Sequence, residues 1–131
     1  MLRAHTDEIQ DRSMAIRVLV VDDDPDWREY LRLTLSELGY EVDLASSGAE
    51  ALAALDRHAY AVLLLDHYMP GMSGEEVMRR MHSPAPRVVL VTNARADEVS
   101  RALSSGPFYY LPKDASADQL QLLLSSLVLP M

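Results

Sequence analysis

The sequence predicts an α/β fold: a doubly wound, five-stranded parallel sheet with helices on both faces. Three observations predict it. Five strand-like runs, at about 16–21, 41–45, 61–66, 87–92 and 108–112, are separated and followed by stretches of helical character. Two of these runs, Val18-Leu19-Val20-Val21 and Val62-Leu63-Leu64-Leu65, are apolar without alternation, as strands buried on both faces are. Strands that alternate with helices in this way build parallel sheets through right-handed crossovers.

Each element has its own local signal. After the first strand, Asp24-Pro25 supplies a helix N-cap and a first-turn proline. That helix sets Trp27, Leu31, Leu35 and Leu38 on one stripe and stops at Gly39, a natural left-handed cap. Ser47 with Glu50, Ser73 with Glu76 and Ser116 with Gln119 have capping-box spacing and open three further helices. The helix after Ser73 looks short and ends near His82, before Ser83-Pro84-Ala85-Pro86. Another short helix is expected over about Ala96 to Ser104, closed by Gly106. Residues 1–15 read as a flexible N-terminal tail and 16–131 as one domain. Pro112 removes a backbone donor from the fifth strand, which an edge position tolerates.

Composition narrows the function classes. A chain of 131 residues with 49% hydrophobic content can bury one respectable core. No apolar run approaches the roughly 20 residues that span a bilayer, and the polar start, Met1 to Met14, resembles neither a signal peptide nor a basic arm. A net charge of −8 argues against a broad nucleic-acid or anionic-membrane surface, so direct DNA binding by this chain is not expected. Without cysteine there are no disulfides and no thiolate metal sites, which is compatible with a cytoplasmic location.

The chemistry-bearing residues sit where strands end. Asp22 and Asp23 close the first strand and Asp66 the third; in a 2-1-3-4-5 sheet these are neighbours at the reversal of strand order, where ligands bind. Thr92 closes the fourth strand and Lys113 follows the fifth. Carboxylates gathered this way repel, and a hard divalent cation with oxygen ligands, Mg²⁺, relieves the repulsion. Singly, each residue has a plainer reading. The acidic run caps a helix, Asp66 sits in a turn before Met69-Pro70-Gly71, Thr92 caps the next helix, and Lys113 is a solvated surface lysine. Asp24, directly before Pro25, is assigned to capping alone.

Four motifs in order resemble response-regulator receiver domains, the phospho-accepting half of two-component signalling. They are Val20-Val21-Asp22-Asp23-Asp24-Pro25, Leu64-Leu65-Asp66-His67-Tyr68-Met69-Pro70-Gly71-Met72-Ser73-Gly74, Val89-Leu90-Val91-Thr92 and Tyr110-Leu111-Pro112-Lys113. The resemblance covers about residues 16–129 and implies the flavodoxin-like version of the predicted fold. It implies that Asp66 takes a phosphoryl group from the phosphohistidine of a sensor histidine kinase or histidine phosphotransfer protein. It further implies Mg²⁺ held directly by Asp23 and Asp66, by Asp22 largely through water, and by the Tyr68 carbonyl. Thr92 and Lys113 would bind the remaining phosphoryl oxygens. Thr92 would then move toward the phosphate and let Tyr110 turn inward, reshaping the face made by the fourth predicted helix, the fifth strand and the last helix. On this reading the protein is not a turnover enzyme but catalyses its own phosphorylation and dephosphorylation.

The pattern departs from the family at a few positions. Asn93 stands where a very small residue is usual, which predicts narrower access to the pocket; Tyr68 is bulky, and Asp114 replaces a frequent proline. Two rival readings are weaker. A haloacid-dehalogenase-like phosphatase fits Asp22-x-Asp24 but not Asp26, and a bare interaction module does not need the intact acidic and basic set. No effector segment follows the last helix, leaving a single-domain regulator or the receiver of a larger protein. On that helix, Leu120, Leu123 and Leu127 are expected to face the sheet, with Leu124 and Val128 on the shoulder. Leu122 and Leu129 then face solvent and offer a docking face for a homodimer or an output partner.

Overall fold

A computed structural model describes residues 16–82, 85–93 and 109–128. In chain order the elements are β1 (Arg17–Val21), α1 (Pro25–Glu37), β2 (Glu41–Ala45), α2 (Gly48–Arg57) and β3 (Val62–Leu65). Then come α3 (Gly74–Arg80), β4 (Arg87–Thr92), β5 (Tyr109–Pro112) and α4 (Ala117–Val128). The expected helix over 96–104 and the tail over 1–15 lie outside the described residues. The five strands form one sheet in the order β2-β1-β3-β4-β5, and every pairing is parallel. Pro112 lies on β5, an edge strand, opposite Thr92.

Successive strand residues point to opposite faces, so the continuous apolar runs build two cores. Leu19, Val21, Leu63, Leu65, Val88 and Leu90 pack with Ala51 and Ala54 of α2 and Val77 of α3. Val18, Val20, Val62, Leu64, Val89 and Val91 pack with Leu31 and Leu35 of α1 and with Leu120 and Leu124 of α4. Helices therefore cover both faces, which is the doubly wound arrangement.

Capping follows the local chemistry with refinements. The Asp24 carboxylate accepts from the Asp26 amide at 3.0 Å, and Pro25 opens α1. At its other end Gly39 has φ +97°. The Gly39 amide donates to the Ser36 carbonyl and the Tyr40 amide to that of Leu35, a Schellman closure that needs a left-handed residue. Only Ser116 and Gln119 form the fully reciprocal box: each backbone amide donates to the other's side chain. Glu50 instead reaches back one residue further, to Ser46, and the Glu76 carboxylate turns to Arg79 and Arg80.

The last helix corrects one expectation. Leu124 is not on a shoulder; it is fully buried with Leu120, while Leu123, Leu127 and Val128 pack at the margin. Leucine occupies 120, 122, 123, 124 and 127, so the pattern has apolar choices all round, and the helix's seat on the sheet selects the face. Leu122 does face solvent, at 74% exposure; Leu129 lies outside the described residues.

Candidate functional site

The loops that follow β1 and β3 continue the sheet before they turn away. The Asp22 amide donates to the Ala45 carbonyl at 3.2 Å, and the Asp66 amide to the Val21 carbonyl at 3.0 Å. Two carboxylates are thereby carried on rigid strand ends into a buried rim, Asp22 and Asp66 both being nearly inaccessible to solvent. Asp22 is held further: its Oδ1 accepts from the Asp24 amide at 2.9 Å, and its carbonyl accepts from Arg28 Nη1 at 2.7 Å. Asp66 Oδ1 accepts from the Tyr68 amide at 3.3 Å.

Asp22, Asp23 and Asp66 each bring a carboxylate oxygen to within 4.8 Å of the others, with Asp23 exposed at the mouth. Lys113, one residue beyond β5, places Nζ 3.0 Å from Asp22 Oδ2 and 3.6 Å from Asp66 Oδ2. Among the described residues, the Lys113 ammonium pairs with two of the three carboxylates and the Arg28 guanidinium reaches only the Asp22 carbonyl, so negative charge is in excess at the pocket. The consequence is visible at Asp66. Burial first, and the Asp22 charge second, push its carboxyl up to about 6, although Lys113 and the Tyr68 amide pull the other way. Burial opposes the charge on Lys113, but its hydrogen bonds to and attraction for Asp22 and Asp66 outweigh this and leave its ammonium harder to deprotonate than usual.

Thr92 ends β4 fully buried and pairs with Pro112, the neighbour of Lys113. The Tyr110 hydroxyl donates to the Thr92 carbonyl at 3.4 Å; its side chain is about half exposed. The residues singled out in the sequence thus converge on one end of the sheet, with Asp22, Asp23, Asp66 and Lys113 in direct proximity. Tyr68 projects outward, its ring against that of His67 at a centroid separation of 4.5 Å.

Three contributors escaped sequence reasoning. Gly74 opens α3 directly against the acceptor loop: a Cβ there would lie 2.5 Å from the Asp66 carbonyl oxygen, and the Gly74 amide donates to the His67 carbonyl. His67 is buried, with Nε2 3.4 Å from Glu75 Oε1, a link across the loop that only the fold creates. Trp27, assigned to the core stripe, also carries Lys113 Nζ over its ring, 5.8 Å from the centroid. The glycine two residues after Met72 was legible as a residue type, but its role needed the approach of helix to strand.

The donor set suits a hard, oxygen-seeking cation such as Mg²⁺: carboxylates without nitrogen or sulfur, at mutual distances one ion can bridge. Among the described residues no helix is long and apolar enough to cross a membrane.

Comparison with known proteins places this chain in a family. The response regulator receiver domain family matches residues 18–125. Response regulator MprA of Mycobacterium bovis (strain BCG / Pasteur 1173P2) is 40% identical over 110 residues, covering 82% of this chain and 48% of that protein. The corresponding protein of Mycobacterium leprae is 40% identical over 108 residues, covering 80% and 47%. The chain therefore spans about half the length of the curated relatives it matches. Among solved structures, Vibrio cholerae chemotaxis protein CheY4 superposes with a TM-score of 0.81 at 29% identity, covering 87% of this chain and 99% of that one. Thermotoga maritima response regulator protein TrrA, in complex with Mg(2+)-BeF, superposes with a TM-score of 0.77 at 33% identity, covering 86% and 99%. Family match, sequence identity and the five-stranded 2-1-3-4-5 sheet agree: the chain belongs to the response-regulator receiver domains of two-component signalling.

Proposed function

We propose that this receiver domain is a phospho-accepting switch in which Asp66 is the acceptor. The observation that carries the reading is the buried Asp66 carboxylate on a rigid strand end, flanked by Asp22 and Asp23 and faced by Lys113 at 3.6 Å. An Asp66 carboxylate oxygen attacks the phosphorus of a phosphohistidine on a sensor histidine kinase or histidine phosphotransfer protein. The P–N bond breaks, its electron pair stays on the imidazole, and Asp66 becomes an acyl phosphate. Asp22, Asp23 and Asp66, with the Tyr68 carbonyl, would hold Mg²⁺, which when bound supplies the positive charge that the pocket lacks. The Lys113 ammonium and the Thr92 hydroxyl bind phosphoryl oxygens and stabilise the charge that develops on them. In the reverse branch water attacks the phosphorus beside the same groups, the P–O bond to Asp66 breaks, inorganic phosphate leaves and the Asp66 carboxylate is restored, so the domain catalyses its own phosphorylation and dephosphorylation.

The switch begins at Thr92. Its attraction to the new phosphate releases the Tyr110 hydroxyl from the Thr92 carbonyl and lets the ring turn inward, so that the β5 side of the molecule reports the state of Asp66. Exposed Leu122 on α4, with Leu129, offers the output contact, to a second copy or to another protein. The family match supports a cytoplasmic location, and the acidic charge supports a chain that does not itself contact DNA.

Acetyl phosphate with Mg²⁺ tests the acceptor. The intact mass should rise by one phosphoryl group in the wild type and not in Asp66→Asn, which keeps the shape without the nucleophilic oxygen. Equal labelling of both proteins would refute the assignment. Multiple-turnover phosphate release would point instead to a phosphatase.

A further inference from the structure

We infer that Trp27 is a positioning residue for phosphotransfer: the face of its indole holds the Lys113 ammonium at the pocket when a cation engages the carboxylates. The inference rests on the phospho-acceptor reading of Asp66. Lys113 has two kinds of partner here. Its ion pairs run to Asp22 at 3.0 Å and Asp66 at 3.6 Å. Its third contact is the Trp27 ring at 5.8 Å, inside the distance at which an ammonium is attracted by an aromatic face.

These partners respond oppositely to a bound cation. A divalent ion on Asp22, Asp23 and Asp66 draws on the same carboxylate oxygens that hold Lys113 and repels its ammonium. A four-carbon stem with part of its side chain already exposed then has freedom to retreat into water. The indole face does not bind that ion and keeps its attraction. It therefore retains the ammonium beside the position where phosphoryl oxygens arrive, and lowers the entropy cost of recruiting it in the transition state.

The surroundings of Trp27 suit this role. It lies in the first turn of α1, which the Asp24 cap and Pro25 hold next to the acidic loop. Tyr30 stacks on it at 5.2 Å, and Trp27 lines one small cleft together with Leu111 and Pro112 of the strand that delivers Lys113. Its buried Nε1 makes no hydrogen bond among the described residues. The contacts the structure gives this side chain are those of its ring, packed against the core and facing Lys113.

Trp27 is the sole tryptophan of the chain, so biosynthetic replacement by mono-, di- and trifluorotryptophan alters this ring alone. Fluorine weakens the negative face of the ring while largely keeping its shape. The initial rate of Asp66 phosphorylation by acetyl phosphate at saturating Mg²⁺ should fall stepwise with each fluorine. The expected drop across the series is about two- to fivefold, with Mg²⁺ affinity and melting temperature unchanged. Trp27→Phe should retain part of the rate, and Trp27→Leu should be the slowest. A rate independent of fluorine number, with the unmodified protein labelled normally, would overturn the role of Trp27 and leave the acceptor reading standing. No labelling of the unmodified protein would overturn the acceptor reading and this inference with it.

Discussion

Replacing Asp66 by asparagine should stabilise the metal-free protein at neutral pH even as it removes the phosphoacceptor. Burial and the neighbouring Asp22 charge raise the Asp66 carboxyl from 3.8 to about 6. The folded state therefore binds this proton more tightly than the unfolded chain does. The sign follows: the wild type is favoured below the unfolded value, loses that advantage as pH rises from about 4 to about 6, and stays at the lower level above it. Two pH units correspond to about 3 kcal/mol, an upper figure because water reaches the pocket mouth at Asp23. Asparagine cannot titrate, so the variant escapes this loss. Urea unfolding of both proteins in EDTA, near pH 4 and near pH 8, measures the difference. The variant should gain about 1–3 kcal/mol over the wild type between the two conditions. Saturating Mg²⁺ at the higher pH should shrink or reverse the gain, because the variant has lost a charged ligand. A difference that does not change with pH would refute the electrostatic account of this pocket.

Other outcomes follow from the same geometry. Mg²⁺ at a hundredfold excess over its Kd should stabilise the wild type by about 2.7 kcal/mol in chemical denaturation. Asp23→Asn should weaken Mg²⁺ binding measured by titration calorimetry; equal affinity would remove Asp23 from the ligand set. Gly74→Ala forces a Cβ against the Asp66 carbonyl and should cost about 1–3 kcal/mol while slowing Asp66 labelling. An unperturbed melt would show that α3 yields freely. Leu124→Ala should cost about 2–5 kcal/mol, whereas Leu122→Ala should fall within about 0.5 kcal/mol of the wild type; similar values for both would contradict the seat of α4.

The alternation of strands with helices, the helix starts and the acidic rim were legible in the sequence because they follow from local rules. An apolar run that stops at Asp22 or Asp66 has one sheet end at which to place the charge. The same holds for Asp24-Pro25 and Gly39, whose backbone preferences act within a few residues. What the tertiary structure decided depends on relations that no local pattern encodes. β1 and β3 are apolar on both sides, so alternation could not say which face receives α1 and α4 and which receives α2 and α3. The leucine-rich α4 could rotate through several apolar faces, and close packing against Val18, Val20 and Val62 selected Leu120 and Leu124. Lys113 lies nearer Asp22 than Asp66, and rests over Trp27, because the loop after β5 folds back over the start of α1. His67 reaches Glu75, and Gly74 meets the Asp66 backbone, only once α3 docks beside the third strand. Chemistry at the rim is written in residue types and strand ends; its distances, and the partners that tune it, come from how separate elements pack.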